Sequence, residues 1–442
     1  MLCLGLLLTG FLGGRAQVAG SAAVGKLDLT LAKAIEIALS ENPTIKVADK
    51  DVELKRLADK EVWQSLLPTL DATLTFSHAI KVAEMKIGGQ KVKFGQDGSS
   101  TATGVLALNV PLFAPAVYQN MKLTKEDIQL AQEKARGSRL DLINQVTKAY
   151  YGALLSTDSY EVMKQSYAVA KEYFDVVNDK YRLGGVSEYD KISAEVQMRS
   201  TNSAMVSAQT GKNLALLQLK VLMGVTADVD INIADSLKAY EDKLTLQDAA
   251  VTEAELDGNS SLRQLNQNIS LLERSRKLLK TNFLPTLAMS LSGQYQSVSN
   301  PDWNIFGYQY SPSATLAFSL NIPIFHADNW TRLKTNRIQL AQLEDTRVNT
   351  RRQLSMGSES YRQNMASSIA QVNSNAEAVR QAEKAVQISS KRYQVGRGTI
   401  LELNQSETAE TQAKLTYVQS IYDYLTNRAD LDYTLGRETF LK

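Results

Sequence analysis

The chain has 442 residues, longer than one ordinary domain, with 22% charged residues and a formal net charge of only +2. Both signs are mixed along its length, so no strongly basic face for nucleic acid and no charged tail stands out. Two histidines and one cysteine exclude a disulfide framework and leave little material for metal or nucleophilic catalysis.

The N-terminus comes first. "LCLGLLLTGFLGG" is an apolar run, followed by the small-residue stretch "RAQVAGSAAVG". It is too short to cross a bilayer as a helix and suits a signal h-region, although Met1 to Leu12 carries no Lys or Arg. Residues 1–23 are read as a signal peptide, cleaved near Ala19 to Ala23. Cys3 precedes the apolar core, so it is not read as a lipoprotein acceptor, and the exported chain then has no cysteine. That suits a bacterial envelope protein held together by packing. No later segment has 18 uninterrupted apolar residues, so no transmembrane helix is expected.

Five blocks then occur twice in the same order. "LTLAKA" (Leu29 to Ala34) matches "LTLQDA" (Leu244 to Ala249), and "LLPTLDATLTFS" (Leu66 to Ser77) matches "FLPTLAMSLSGQ" (Phe283 to Gln294). "NVPLF" (Asn109 to Phe113) matches "NIPIF" (Asn321 to Phe325). "KYRLGGVSEYD" (Lys180 to Asp190) matches "RYQVGRGTILE" (Arg392 to Glu402), and "LMG" (Leu222 to Gly224) matches "TLG" (Thr434 to Gly436). Two internal repeats are expected, 24–243 and 244–442.

Proline placement marks the helices. Ala116 to Leu284 and His326 to Lys442 contain none of the eight prolines and are rich in good helix formers. Tyr160, Met163, Tyr167, Ala170, Phe174, Val177 and Tyr181 step by threes and fours. So do Val372, Asn375, Val379, Ala382, Val386, Ser389 and Tyr393. This is a coiled-coil seam, with small and polar members that fit a helical wall better than a dimer zipper. Long helices are predicted from about Ala116 to Arg182 and from Asp328 to Gln394, each about 100 Å at 1.5 Å per residue. Shorter ones are predicted at Ser187–Met223, Asn259–Phe283, Thr399–Leu435 and Pro43–Leu66. The expectation is that Ser187–Met223 and Asn259–Phe283 lie end to end as one rod. Thr399–Leu435 would then lie under Pro43–Leu66. "TADVDINIADSLKAYEDKLTL" would form a side structure at the joint.

Four segments alternate with period two. Leu70, Ala72, Leu74 and Phe76 oppose Asp71, Thr73, Thr75 and Ser77. Leu106, Leu108 and Val110 oppose Ala107 and Asn109. Leu287, Met289, Leu291 and Tyr295 oppose Ser290, Ser292 and Gln294. Leu316, Phe318, Leu320 and Ile322 oppose Thr315, Ala317, Ser319 and Asn321. One apolar and one small-polar face is the pattern of an outer-membrane strand. The other reading is an antiparallel sheet half-buried on a soluble core. Polar or mixed linkers, "HAIKVAEMKIGGQKVKFGQDGSS" and "SVSNPDWNIFGYQ", favour external loops. A sheet in lipid must close and needs at least about eight strands. Four per chain therefore call for partners: a dimer gives eight strands, a trimer twelve.

The doubled order of "LTLxxA", "LPTL" strand, "N-[VI]-P-[LI]-F" and "Y-x-[LV]-G" bend resembles the TolC-like outer-membrane efflux proteins over essentially the whole exported chain. The resemblance implies a mainly α fold with a β-barrel portion, assembled as a homotrimer. A twelve-strand barrel would sit in outer-membrane lipid, continuous with a twelve-helix coiled-coil tunnel through the periplasm. It implies a passive exit duct of a tripartite efflux or type I secretion system. The duct would be gated at its periplasmic tip and docked on a periplasmic adaptor that links it to an inner-membrane pump. The tips that meet the adaptor would be Leu183, Gly184 and Gly185 in one groove and Val395, Gly396 and Arg397 in the other; the plainer reading of each glycine is a helix stop. The gate would use Asp190 hydrogen-bonded to Tyr393, with Glu402 in an acidic ring that favours cations; the plainer reading of Glu402 is a solvated glutamate near a helix N-terminus. An arginine usual two residues after the second tip glycine is Gly398 here, with Arg397 one place early. Gln405 stands where a second acidic ring is common.

No cofactor is expected and no enzyme: there is no H-E-x-x-H, G-x-S-x-G or P-loop, and His78 and His326 read as bystanders. The competing function is a periplasmic coiled-coil structural or adaptor protein without channel activity, but an adaptor needs compact β domains that this sequence lacks.

Overall fold

The computed structural model describes residues 27–88, 90–93, 96–233, 235–245 and 252–438. The signal-peptide reading lies outside them. The elements run β1 (Leu27–Asp28), α1 (Leu31–Glu41), α2 (Pro43–Gln64), β2 (Thr69–Ala79), β3 (Glu84–Ile87), β4 (Gln90–Lys93), β5 (Ser99–Phe113), α3 (Pro115–Arg182) and α4 (Glu188–Met223). Then follow β6 (Ile231–Asn232), a 3₁₀ turn (Leu237–Lys243), α5 (Glu253–Leu256) and α6 (Ser260–Thr281). The chain ends with β7 (Thr286–Asn300), a short 3₁₀ turn (Ile305–Gly307), β8 (Ser311–Asn321), α7 (Ala327–Gln394) and α8 (Ile400–Thr434).

The long rods are where proline is missing. Both α3 and α7 have 68 residues, and α3 opens with Pro115 at its first turn, where a missing N–H costs nothing. No helix among the described residues is long and apolar enough to cross a membrane. Against α3 pack α2, α4, α6 and α8; α7 packs on α6 and α8. The rods thus form one curved row: α2 with α4, then α3, then α6 with α8, then α7. Helix-to-helix ion pairs include Arg139–Asp49 at 2.6 Å and Arg274–Glu126 at 3.1 Å. Ser358, Ser389 and Ser420, buried on the rods, donate to their own helix, Ser389 to the Ala385 carbonyl at 2.8 Å, whereas Ser260 of α6 reaches the Glu133 carbonyl of α3 at 3.3 Å.

The end-to-end pairing of short helices differs from the sequence expectation. Helix α4 abuts α2, and α8 abuts α6. Asn42 caps α2, its side-chain oxygen accepting from Thr44 N–H at 2.8 Å. Its Nδ2 donates across the joint to the Leu222 carbonyl at the end of α4, at 2.7 Å. Asn259 does the same for α6. It accepts from the Ser261 and Leu262 N–H groups at 2.9 and 3.2 Å and donates to the Thr434 carbonyl at 2.8 Å. One buried amide thus pairs an orphan donor of one helix with an orphan carbonyl of the next. Gly224 ends α4 with φ 72°, and a Cβ there would come within 3.0 Å of the Asn42 backbone. Equal lengths cannot choose the pairing, because the two short upper helices have 22 residues each and the two lower ones 36 and 35.

The four long strands form one antiparallel sheet in the order β2-β5-β7-β8. Its register pairs Leu70 with Leu108, Leu108 with Leu291 and Leu291 with Leu316. The four apolar faces predicted strand by strand therefore merge into a single apolar face, and Asp71, Ala107, Ser292 and Thr315 align on the other. Every residue of β8 is exposed, and Leu74 in the middle of β2 is 89% exposed. The alternative of a sheet half-buried on its own core finds no cover for this face among the described residues. The first linker is a second hairpin, β3 paired with β4, rather than a plain loop. Beneath the sheet, at mid-rod, the main core gathers Leu29, Ile35, Tyr150, Leu154, Leu219, Met223 and Tyr424. Tyr150 donates to Asp235 at 2.9 Å, and the parallel pair of β1 with β6 closes over the joint, where a side structure is expected from the sequence.

Candidate functional site

The far ends of the rods carry the sequence-predicted residues. Each long helix stops in the same way. At the first tip Gly184 N–H bonds to the Tyr181 carbonyl at 2.9 Å and Gly185 N–H to Lys180 at 2.8 Å, with Gly184 at φ 74°. At the second, Gly396 N–H bonds to Tyr393 at 3.1 Å and Arg397 N–H to Arg392 at 2.8 Å, with Gly396 at φ 72°. Both are Schellman stops, which need a left-handed residue and so favour glycine. The returning helices start alike. Ser187 Oγ accepts from Asp190 N–H at 3.1 Å, and Thr399 Oγ1 from Glu402 N–H at 3.2 Å. Leu183 and Val395 stand 87% and 70% exposed at the two turns, beside exposed Gly184, Gly185, Gly396 and Arg397. A Cβ added at Gly184 or Gly396 meets nothing within 4 Å, so these glycines serve backbone geometry rather than packing inside the chain.

A small core ties the two hairpins together just behind the tips. Val177 of α3, Ala194 of α4, and Ile400 and Leu403 of α8 are buried, with Tyr173, Phe174, Val186 and Tyr393 packed around them. Tyr173 and Ser390 share a hydrogen bond of 2.6 Å between α3 and α7, which no motif signals. Lys180 lies 5.4 Å from the centroid of the Tyr393 ring.

Asp190 and Tyr393 meet electrostatically but do not share the expected hydrogen bond. The Asp190 carboxylate is taken by its own helix start, accepting from Ser187 N–H at 3.2 Å and Oγ at 2.8 Å. The Tyr393 hydroxyl is buried with no hydrogen-bond partner among the described residues. Burial first, and then the nearby charge of Asp190, push its pKa up. Glu402 makes an ion pair with Arg392 at 3.7 Å. Arg392 also reaches the Arg397 carbonyl at 3.4 Å. Gly398 sits close against Arg392, since a Cβ there would lie 3.1 Å from the Arg392 Cβ. A larger residue at 398 therefore needs the turn to shift.

His78 lies in β2, 3.0 Å from Ser100 Oγ and stacked on Trp303 with ring centroids 4.6 Å apart. His326 sits at the start of α7 without a side-chain capping bond. Sequence reasoning missed the two joint asparagines and Glu407, which is buried on α8. For the asparagines a signal existed: "ENP" at Glu41 to Pro43 and "GNS" at Gly258 to Ser260 stand at matching places before helices of equal length.

The outer membrane efflux protein family model matches residues 34–225 and 251–437. The alkaline protease secretion protein AprF of Pseudomonas aeruginosa is 22% identical over 417 residues, 92% of this chain and 84% of AprF. The outer membrane protein TolC of Escherichia coli is 22% identical over 413 residues, 89% of this chain and 80% of TolC. Among solved structures, the outer membrane protein VceC of Vibrio cholerae superposes with a TM-score of 0.73 at 16% identity, covering 92% of this chain and 96% of VceC. The open state of the MtrE outer membrane channel of Neisseria gonorrhoeae gives 0.72 at 17%, covering 96% and 94%. With both halves matched, the chain belongs to the outer membrane efflux protein family, as an outer-membrane protein of a channel family and not an enzyme.

Proposed function

We propose that this protein is the outer-membrane exit duct of a tripartite efflux or type I secretion system, passive and closed by its own hairpin tips. The observation that carries this reading is the sheet. It has one apolar face, and its two edges, β2 and β8, have no further strand partner among the described residues of the single chain. In hydrocarbon such edges must find partners. The helical row ends on the same two sides, since β2 follows α2 and β8 precedes α7. Exposed apolar residues occur on the helices that flank the row: Trp63 on α2, Ile192 and Val206 on α4, and Ile338 on α7. A heterologous contact, β8 and α7 of one copy against β2, α2 and α4 of the next, closes into a ring. Three copies give twelve strands and twelve rods, a barrel standing on a tunnel. In this arrangement 24–243 and 244–442 act as structural repeats.

The tips follow from that assembly. Leu183, Gly184 and Gly185, with Val395, Gly396 and Arg397, face away from the membrane and are the surface offered to a periplasmic adaptor and, through it, an inner-membrane pump. Asp190, Tyr393 and Glu402 form the gate, with Asp190 and Tyr393 acting across the two hairpins through charge and packing.

Planar-bilayer recording on detergent-purified protein tests the reading. A heat-resistant trimer that carries ionic current is expected, and Asp190→Ala with Tyr393→Phe should raise the current severalfold. A water-soluble species without current would favour a periplasmic scaffold. Unchanged current in the double variant would remove both residues from the gate.

A further inference from the structure

Helix α8 meets the rest of its chain along positions spaced by threes and fours: Ile400, Leu403, Glu407, Thr411, Lys414, Val418, Ile421 and Leu425. All are apolar, hydroxylic or cationic except one. Glu407 is only 7% exposed. One of its carboxylate oxygens is buried with no hydrogen-bond partner among the described residues. It borders a cavity of about 40 Å³ between α3 and α8. From α3 this cavity is lined by Val162, Gln165, Ser166 and Val169, none of which is charged. The charged neighbours on α8 are Glu410 and Lys414. Lys414 is committed to Glu410 at 2.6 Å and to Glu383 of α7 at 3.2 Å. The one nearby cation is therefore neutralised by two other carboxylates, and a like charge stands one turn away.

The position matters because the seam between α3 and α8 joins the two helical hairpins. One turn beyond Glu407 lie Leu403 and Ile400, which anchor the tip cluster to Val177 and Ala194. One turn behind, Thr411 bonds to Ser166 across the seam at 3.1 Å. A carboxylate cannot be ionised in such a place at low cost.

We propose that Glu407 is a proton-operated latch on the α3–α8 seam: protonated, it packs between the hairpins and holds them together; ionised, it draws α8 away from α3 toward water. Burial, and then the charge of Glu410, push its carboxyl from an ordinary 4.5 up to about 7. The packed seam binds the proton more tightly than the loosened one. Its extra stability is therefore complete below about pH 4.5 and is lost as pH rises through about 7. With those two values, the ratio of loosened to packed seam rises about tenfold per protomer between pH 6 and pH 8. The effect on current rests on the duct and gate reading above; the movement of the seam does not.

Two measurements on the full assembled protein separate them. In a Cys3→Ser background, Lys171→Cys on α3 and Thr408→Cys on α8, both exposed, are spin-labelled and their separation is followed from pH 5 to pH 9. The expected result is a shift to longer distances centred near pH 7. Glu407→Gln keeps the shape without the charge, and Glu407→Leu suits a seam lined by Val162 and Val169. Both should hold the short distance at every pH. A separation that does not move in the unaltered seam, or that moves equally in both variants, overturns the latch. The same samples are then recorded in planar bilayers, where current should rise with pH only when Glu407 is present. Distances that respond without any current at any pH keep the latch and sink the duct. Current that responds identically in the variants keeps the duct and sinks the latch.

Discussion

Single side chains decide how the rods of this protein are joined. Asn42 and Asn259 each satisfy an N-terminal donor and a C-terminal carbonyl from different helices. Asn42→Ala removes both, and the expected loss is about 2 kcal/mol in local stability, the sum of a lost cap and an unpaired carbonyl. Asn42→Asp is the sharper variant. Aspartate caps as well as asparagine, yet it cannot donate to the Leu222 carbonyl, so the joint stays weakened. Hydrogen-exchange mass spectrometry should find amides at Thr44, Ile45 and Gly224 opening roughly thirtyfold faster in Asn42→Ala and about tenfold faster in Asn42→Asp, since 1.4 kcal/mol is a factor of ten. An aspartate variant that exchanges like the parent would place all the value of Asn42 in its cap. The sequence hints at these residues only as a polar letter before a helix. What they reach on the far side is set by a partner 180 or 175 positions away, which no local pattern encodes. Glu407 was illegible for a related reason: a glutamate among "NQSETAET" reads as a solvated face until α3 covers it.

At the scale of elements, the glycine stops were readable and the pairing of helices was not. Gly184, Gly224, Gly396 and Gly436 all have positive φ, and each ends a helix at the place marked by the doubled motifs. Their surroundings differ, which makes a paired test possible. Gly184→Ala pays only the left-handed conformation, about 1–2 kcal/mol, because no atom lies within 4 Å of the new carbon. Gly224→Ala carries the same strain and also crowds the Asn42 backbone at 3.0 Å, so it should lose clearly more. Thermal inactivation half-lives of the two variants should rank Gly184→Ala above Gly224→Ala; the reverse order would mean that the α4–α2 joint yields without cost. Strand faces were legible because a period of two survives any register that keeps parity. The structure pairs Leu108 with Leu291 and Leu291 with Leu316, so four separately read faces coincide. The β3–β4 hairpin escaped notice because "EMKIGGQKVK" alternates weakly and sits in a stretch that reads as polar loop. Helix pairing failed because two interchangeable lengths were available and the deciding contacts are at the ends.

The whole molecule is a strip with two bare flanks. If the apolar face of the sheet meets lipid, the two faces of a single strand must respond differently to the same charge. Leu74→Arg, in the middle of β2, should cost about 2–4 kcal/mol against the membrane and prevent stable recovery in the outer-membrane fraction. Thr75→Arg on the opposite face should still assemble. Equal recovery of the two would deny the sheet a lipid side. The proposal of partner copies rests on strand count, which the sequence discloses, while the order of rods in the strip could not be read there, since it depends on which segments abut. That order has a mechanical consequence. Arg139 of α3 pairs with Asp49 of α2, and Arg136 of α3 holds the Gly258 carbonyl at 2.8 Å. Unbroken α3, 68 residues long, runs past both butt joints and packs on all four of the short helices that meet there. Like a splint bound across two fractures, it leaves neither joint to bend alone.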